Sequence, residues 1–225
     1  SFEFAFLHAK GEFLLSLGSD DALLPWALET LDVIRKSYPN EYIIQWERGF
    51  YAWPGFNGGQ QNEFIIPKKY QKGEYLPRYV EQQNYFASIF SDSNTMYALP
   101  NLYLNSGCKK VYLKTILAKT GRLFDGICQD IYMGVVNVAI NKRLLKLSYP
   151  LAIAGMSDAS IGAKANMAYT LNEEETEFLN ELKRTANLGG YCASPYERLM
   201  PEVTTDKSSL YNSILRMIAR GIIAE

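Results

Sequence analysis

The 225-residue sequence has little of several features that point to a function class. Its 23 lysines and arginines almost balance its 24 aspartates and glutamates, for a formal net charge of -1. This balance argues against an extended positively charged surface that would bind nucleic acid. Its three cysteines, Cys108, Cys128 and Cys192, are odd in number and widely spaced. They match neither a disulfide framework nor a zinc site and suit a reducing compartment.

Long apolar runs and targeting signals are also lacking. No stretch is apolar over a length that would span a bilayer, and no signal peptide is recognisable. We therefore expect a cytoplasmic protein, with the inner face of the membrane as an alternative location. Histidine is scarce as well, because His8 is alone in an aromatic-rich segment. We expect it to be packed rather than catalytic.

What the sequence does have is the composition of an ordinary soluble domain. The chain is 48% hydrophobic and 21% charged, which suffices for one sizeable core. It opens with SFEFAFLHAKGEF, without an initiator methionine, and this segment resembles the middle of a domain. We expect that a preceding segment is missing.

The order of the predicted elements is typical of an α/β protein. Residues 12–17 predict a buried strand, apolar residues recur at helical spacing over 24–34, and residues 41–47 predict the next strand. Residues 52–76 lack periodicity and indicate a long surface excursion. The remaining pattern predicts helices over 109–121, 129–142, 172–184 and 208–218, and a strand over 143–155 that Pro150 interrupts.

Two adjacent aspartates, Asp20 and Asp21, follow the first predicted strand. Ligands of open α/β sheets gather beyond the carboxyl ends of the strands. Adjacent carboxylates repel each other unless a cation lies near them, and Mg2+ typically takes one or two carboxylates plus substrate phosphates. The pair therefore predicts a metal and diphosphate site. The alternative is that Asp20 caps the following helix and Asp21 faces its positive end.

A third acid, Asp130, begins the helix predicted over 129–142. Its ordinary role would be that of an N-cap or first-turn acid. The order of the acids, a loop pair first and a helix-start acid later, is what singles it out.

Two blocks of the sequence resemble a known family. Residues 9–31, AKGEFLLSLGSDDALLPWALETL, look like the heart of the inverting family-two glycosyltransferases of GT-A fold. There an A-x-G-[DE]-[YF] segment leads into an apolar strand, an acidic cluster and a Leu-Leu-Pro helix. Residues 104–136, LNSGCKKVYLKTILAKTGRLFDGICQDIYMGVV, are similar to the acceptor-side block, which ends in the catalytic-base acid. With residues 150–162, which resemble the strand and loop that follow, the resemblance covers residues 1–165.

The resemblance implies a fold. We expect an α/β protein with a GT-A, Rossmann-like mixed sheet flanked by helices, N-terminally incomplete and with a helical C-terminal tail. Residues 1–165 would form the glycosyltransferase core, with the metal and acceptor half of the site. Residues 166–225 would form a helical extension of the same domain. Since the family's nucleobase-binding strands would precede Ser1, we expect weak donor binding and little activity from this segment by itself.

The resemblance also implies an activity. A sugar, a hexose in the expected class, would pass from a nucleotide-sugar donor to a hydroxyl of a saccharide or lipid-linked saccharide, with inversion. Asp130 would act as the catalytic base. Asp20 and Asp21 would bind the donor and a divalent metal, Mn2+ or Mg2+, with Asp21 as the direct metal ligand. Enzymes of this kind often act on membrane-bound acceptors, so peripheral membrane association is a further expectation.

Two departures from the family pattern matter. The metal motif often reads D-x-D-D, whereas this chain has Gly18-Ser19-Asp20-Asp21 and lacks the leading acid. The base motif is often Glu-Asp, whereas Gln129 precedes Asp130 here.

These departures favour one of two alternatives, a non-catalytic sugar- or nucleotide-binding module of the same fold. The other alternative is a nucleotidyltransferase-like enzyme. It would need a glycine-rich phosphate loop at a strand end, but Gly58-Gly59 lies in the polar excursion.

Further residues have two interpretations each. Trp46, Tyr51 and Trp53 could stack on a sugar or belong to the core. Ser157, Asp158 and Ser160 could close over the leaving group or form a plain turn.

Overall fold

The computed structural model describes residues 2–56, 62–66, 76–126, 128–157, 173, 176–177 and 206–224. Its strands are β1 (Phe13–Leu14), β2 (Ala22–Leu23), β3 (Ile43–Ala52), β4 (Glu63–Ile65), β5 (Arg78–Glu81), β6 (Ser106–Lys109) and β7 (Arg143–Met156). Its main helices are α1 (Phe2–His8), α2 (Ala27–Ser37), α3 (Gln82–Ser91), a 3-10 helix (Ser93–Ala98), α4 (Tyr112–Thr120), α5 (Gln129–Ile140) and α6 (Asp206–Ala219).

The strands form one mixed sheet around the parallel pair β3 and β7. The path is β1-β6-β3-β7-β2, with β4 beside β3 and β5 beside β7. The β3–β7 pairing is parallel and the other pairings are antiparallel. Because β3 and β7 run in the same direction, their last residues, Ala52 and Met156, are partners. We call the side of the sheet beyond these two residues the carboxyl edge.

Each face of the sheet carries an apolar core. Side chains alternate between the two faces along a strand, so Ile43 and Leu144 join one cluster while Ile44 and Leu145 join the other. The first cluster contains buried residues of α3, α4, α5 and α6, and the second contains those of α2. The prediction of a mixed α/β sheet flanked by helices is confirmed.

The prediction that Pro150 interrupts the last strand is wrong. β7 continues through Pro150, and its register with β3 shifts on either side of Glu47, the partner of Pro150. Since proline has no N–H to donate to the ladder, the strand pair accommodates it as an irregularity.

Helix α2 begins later than its apolar pattern predicts. It starts at Ala27, after a turn that contains Pro25, and β2 lies between it and the two aspartates. The end of α4 is as predicted, because Gly121 follows it in the left-handed conformation, with φ 79°.

The C-terminal helix α6 covers nearly the predicted range and packs on α5. Leu210, Ile214 and Met217 are buried in the first cluster, so the apolar stripe of the tail belongs to the core. The boundary predicted between residues 165 and 166, and most of the helix predicted over 172–184, lie outside the described residues. In the described part of the chain, none of the helices combines the length and apolar character that crossing a membrane requires.

Candidate active site

Asp20 and Asp21 lie at the carboxyl edge. Trp53 follows β3, and its indole N–H donates to the Asp20 carbonyl oxygen at 3.1 Å. Ser157 follows β7, and its hydroxyl donates to Asp20 Oδ2 at 3.0 Å. The aspartate pair is therefore beyond the ends of both parallel strands, in the position where open α/β sheets bind ligands.

The helix-capping interpretation of these aspartates is wrong. The N-cap of α2 is Trp26, and no side chain caps that helix. Instead, Asp21 accepts two backbone N–H groups, from Gly18 to Oδ2 at 2.8 Å and from Gly155 to Oδ1 at 2.9 Å. These bonds hold the aspartate loop against β7.

Three side-chain oxygens converge above Gly18. A Cβ placed on Gly18 would lie 2.3 Å from the Tyr103 hydroxyl, 2.7 Å from Asp21 Oδ2 and 3.1 Å from Asp20 Oδ1. Tyr103 is hydrogen-bonded to Asp21. The absence of a side chain at Gly18 is what lets these oxygens approach one another.

This donor set fits a hard divalent cation. Its atoms are all oxygens, two of them from carboxylates, and Mg2+ and Mn2+ prefer oxygen ligands. Among the described residues no group of three or more His, Cys, Asp or Glu side chains could hold a metal by itself. A cation at Asp20 and Asp21 would therefore depend on further oxygens, such as those of a substrate diphosphate.

Asp130 is in the first turn of α5, which leads through Asn141 and Lys142 into β7. Its charge acts on Tyr103, and the charge of Arg48, in β3, acts on Asp130. Cys128 is the N-cap and makes no side-chain capping bond. The interpretation of Asp130 as a first-turn acid is thus confirmed, and such a position does not exclude catalysis.

The pKa of Asp130 is raised above its ordinary value. Burial is the main cause, and the charge of Asp206 adds to it. The backbone N–H of Ile131 and the charge of Arg48 act in the opposite direction. A carboxyl with raised proton affinity is suited to general base catalysis nearer to neutral pH.

The charges of the three predicted acids all act on Tyr103. Burial and the hydrogen bond with Asp21 raise its pKa, and the charges of Asp21, Asp20 and Asp130 raise it further. All three carboxylates therefore act on one phenol, which stays protonated. Asp20 and Asp21 share the carboxyl edge, and a common site with Asp130 stays a prediction.

A cleft of about 320 Å3 lies between β3 and the segment of the 3-10 helix. Its lining includes Arg48 and Phe50 of β3 and, across from them, Asp92, Asn94 and Tyr97. Arg48 links the cleft to the acids, because its charge acts on Asp130. The cleft offers charged, amide and aromatic groups, a mixture suited to a polar ligand with some apolar surface.

Other predicted residues have clear placements. Trp46 is in the core and donates its indole N–H to the Leu104 carbonyl at 2.7 Å. Trp53 is 43% exposed and meets Tyr51 edge-on, with ring centroids 5.0 Å apart.

His8 is exposed and stacks on Phe4, so the expectation that it is packed is only partly met. Asp158 and Ser160 lie outside the described residues.

Sequence reasoning missed four residues of this region: Arg48, Tyr97, Tyr103 and Asp206. Each of these residues interacts with residues far away in the sequence, and none of them lies in a recognisable local motif. The only sequence signal was the position of Tyr103 just before a block already identified as acceptor-side.

Comparisons with known proteins give a limited result. No family model matches the chain, and no curated protein sequence is similar to it. Among solved structures, residues 1–349 of TarS from S. aureus, a glycosyltransferase, match with a TM-score of 0.46 and 14% identity over 96% of this chain and 58% of that one. A longer S. aureus TarS structure matches with a TM-score of 0.46 and 13% identity over 98% of this chain and 40% of that one. The chain thus spans less than two thirds of either protein.

Proposed function

We propose that this chain belongs to a glycosyltransferase that moves a hexose from a nucleotide-sugar donor to an acceptor hydroxyl with inversion. The observation that carries the proposal is that Asp20 and Asp21 lie at the carboxyl edge and that their charges, together with that of Asp130, act on Tyr103. The same three acids, in the same order, are those that the sequence resemblance to GT-A glycosyltransferases selects. Placement and resemblance are independent, since the first depends on contacts between distant parts of the chain.

Asp130 is the proposed catalytic base. The acceptor oxygen forms a bond to the anomeric carbon, its proton passes to the Asp130 carboxylate, and the bond from that carbon to the diphosphate oxygen breaks. The nucleoside diphosphate leaves with the electron pair. A single displacement inverts the anomeric centre, and one carboxylate suffices, unlike the pair that a glycosidase needs.

Asp20 and Asp21 are the proposed donor-binding residues. They would hold Mn2+ or Mg2+, which there would neutralise charge on the leaving diphosphate. Their oxygens are preset for this by the bonds from Gly18, Gly155 and Ser157. Tyr103 stays protonated and can donate a hydrogen bond in the same space.

The cleft beside Arg48 is the proposed acceptor region. Aromatic faces suit the C–H surfaces of sugars, and Phe50 and Tyr97 both line it. Amide and carboxylate groups there, such as Asn94 and Asp92, can bond hydroxyls. A saccharide or a lipid-linked saccharide fits this chemistry.

Replacing Asp130 tests the proposal. Asp130→Asn keeps the size of the side chain but cannot take a proton, so sugar transfer should fall by about a hundredfold or more. Nucleoside diphosphate release would be followed with a panel of UDP-, GDP- and dTDP-linked hexoses, Mn2+ and a set of saccharide acceptors. Asp32→Asn, which removes an exposed carboxylate on α2, is the matched control. Transfer at the wild-type rate by Asp130→Asn would leave that residue as a first-turn acid and end this mechanism.

A further inference from the structure

The first residue of the C-terminal helix reaches the candidate site. Asp206 begins α6, and its Oδ2 accepts the hydroxyl of Tyr97, which lines the cleft. Its Oδ1 lies 3.5 Å from the Cys128 Sγ, which donates to it. Burial raises the pKa of that thiol to about 12, so the thiol keeps its proton. Since Cys128 is the N-cap of α5, one carboxylate joins a wall of the cleft to the helix that carries Asp130.

Helix α6 is anchored well beyond this point. Asp125, only 2% exposed, pairs through Oδ2 with Arg216 at 2.8 Å and with Arg220 at 3.4 Å. Leu210 and Ile214 on the intervening turns are buried in the core shared with α5. An ion-pair network and an apolar face therefore fix the helix, which presents Asp206 from a rigid element.

We propose that Asp206 is a positioning residue for the reaction proposed above, on which this inference rests. It holds Tyr97 against the amino end of α5 and keeps a negative charge beside Asp130. It touches neither donor nor acceptor in this role and acts through Tyr97 and Asp130. The last helix thereby becomes part of the active site rather than an external appendage.

The charge of Asp206 has a defined effect on the base. The groups that act on Asp130 are Asp206 from α6, Arg48 from β3 and the backbone N–H groups of its own helix. The charge of Asp130 in turn acts on Tyr103 and on the thiol of Cys128, which keeps its proton. Asp206 favours the protonated form of Asp130, whereas Arg48 favours the ionised form. Tyr103 is neutral and adds no charge. Removing the charge of Asp206 therefore lowers the pKa of Asp130 and weakens it as a base.

Two substitutions separate the charge from the hydrogen bond. Asp206→Asn removes the charge but keeps an oxygen that can accept the Tyr97 hydroxyl. Tyr97→Phe removes that hydroxyl but keeps the charge. Asp32→Asn again serves as the control for loss of a carboxylate elsewhere.

The charge is tested by a measurement that needs no activity. The side-chain carboxyl of Asp130 is titrated by carbon-13 NMR in the 225-residue chain, with its signal assigned from Asp130→Asn. We expect the midpoint to move to lower pH in Asp206→Asn and to stay in place in Asp32→Asn. An unchanged midpoint in folded Asp206→Asn overturns the role of the charge. If that variant does not fold, an unchanged midpoint in folded Asp206→Ser, which also removes the charge, overturns it.

The hydrogen bond is tested by kinetics. In Tyr97→Phe we expect the KM for the acceptor to rise more than kcat falls, with the acid limb of the pH profile unmoved. A wild-type KM in this variant overturns the positioning role. These results are distinguishable from failure of the proposed function, because that failure is read from Asp130→Asn, whereas the titration reports the coupling of the two acids in either case.

Discussion

Gly18→Ala places a methyl group where the three oxygens of the aspartate site converge. The new Cβ would lie 2.3 Å from the Tyr103 hydroxyl and 2.7 Å from Asp21 Oδ2. These atoms are ends of side chains, so they can move away, and the hydrogen bond between Tyr103 and Asp21 is what they lose. That loss costs about 0.5–1.5 kcal/mol. Because Gly18 does not have a positive φ, the alanine also recovers about 0.4–1 kcal/mol by restricting the unfolded chain.

The net change in the free energy of unfolding is thus expected to be within about 1 kcal/mol, measured by urea denaturation. Binding should respond much more strongly, because the methyl group occupies the space of the cation and the diphosphate. We expect at least a tenfold loss, about 1.4 kcal/mol, in Mn2+-dependent nucleoside diphosphate affinity, measured by calorimetry and Mn2+ electron paramagnetic resonance.

Substitutions at two other glycines serve as comparisons for Gly18→Ala. Gly11→Ala meets its nearest atom at 3.4 Å, an ordinary contact, and Gly11 has no positive φ either, so the variant should gain about 0.4–1 kcal/mol of stability and leave binding unchanged. In Gly155→Ala the Cβ would lie 1.8 Å from the backbone oxygen of Asp20, so the loop itself must move. It should lose about 1–3 kcal/mol of stability, the usual range for overpacking. Wild-type Mn2+ and nucleotide binding by folded Gly18→Ala would refute the oxygen site.

Three further predictions concern single aspartates. Asp21→Asn replaces one of the oxygens that accept the N–H groups of Gly18 and Gly155 with an NH2 group, so the free energy of unfolding in urea should fall by about 1–3 kcal/mol. Unlike the wild type, this variant should bind donor equally well with and without a chelator. Asp125→Asn removes the carboxylate that pairs with Arg216 and Arg220, so the free energy of unfolding should fall by about 3–5 kcal/mol and amide exchange in α6 should accelerate. A change below 1 kcal/mol would contradict a buried ion pair. Asp130→Asn should be at least as stable as the wild type at pH 7, because the raised pKa means that folding disfavours the ionised carboxyl. In the wild type, the free energy of unfolding should decline as pH rises through the ordinary aspartate range toward the raised pKa. A variant less stable than the wild type at pH 7 would contradict this sign.

The fold was predictable wherever a local pattern carries the information. Helical spacing and a terminal glycine located α4, and the apolar stripe of the tail located α6. The alternation of strand and helix predicted the α/β class, whereas the ligand site at the two acids that follow a strand stays a prediction. These are features of segments shorter than about 20 residues, the scale on which periodicity acts.

What could not be predicted depends on partners far away in sequence. The start of α2 is displaced because residues 22 and 23 pair with β7 instead of continuing a helix. The bond from Gly155 to Asp21 and that from Tyr97 to Asp206 each span more than a hundred residues. Arg48 belongs to the site only because β3 and the 3-10 helix meet across the cleft. No window of sequence contains both partners of such a pair.

The bonds that Asp21 makes with the backbone do not compete with a role in binding. A carboxylate has about four acceptor positions, of which the N–H groups of Gly18 and Gly155 and the hydroxyl of Tyr103 use three, so acceptor capacity remains for a ligand. The same N–H groups fix the orientation of the carboxylate before any ligand arrives, so less side-chain entropy is lost on binding. The same N–H groups also lessen the repulsion between the adjacent carboxylates of Asp20 and Asp21. The hydrogen bonds that hold the aspartate loop in place are therefore also those that a preorganised diphosphate site requires.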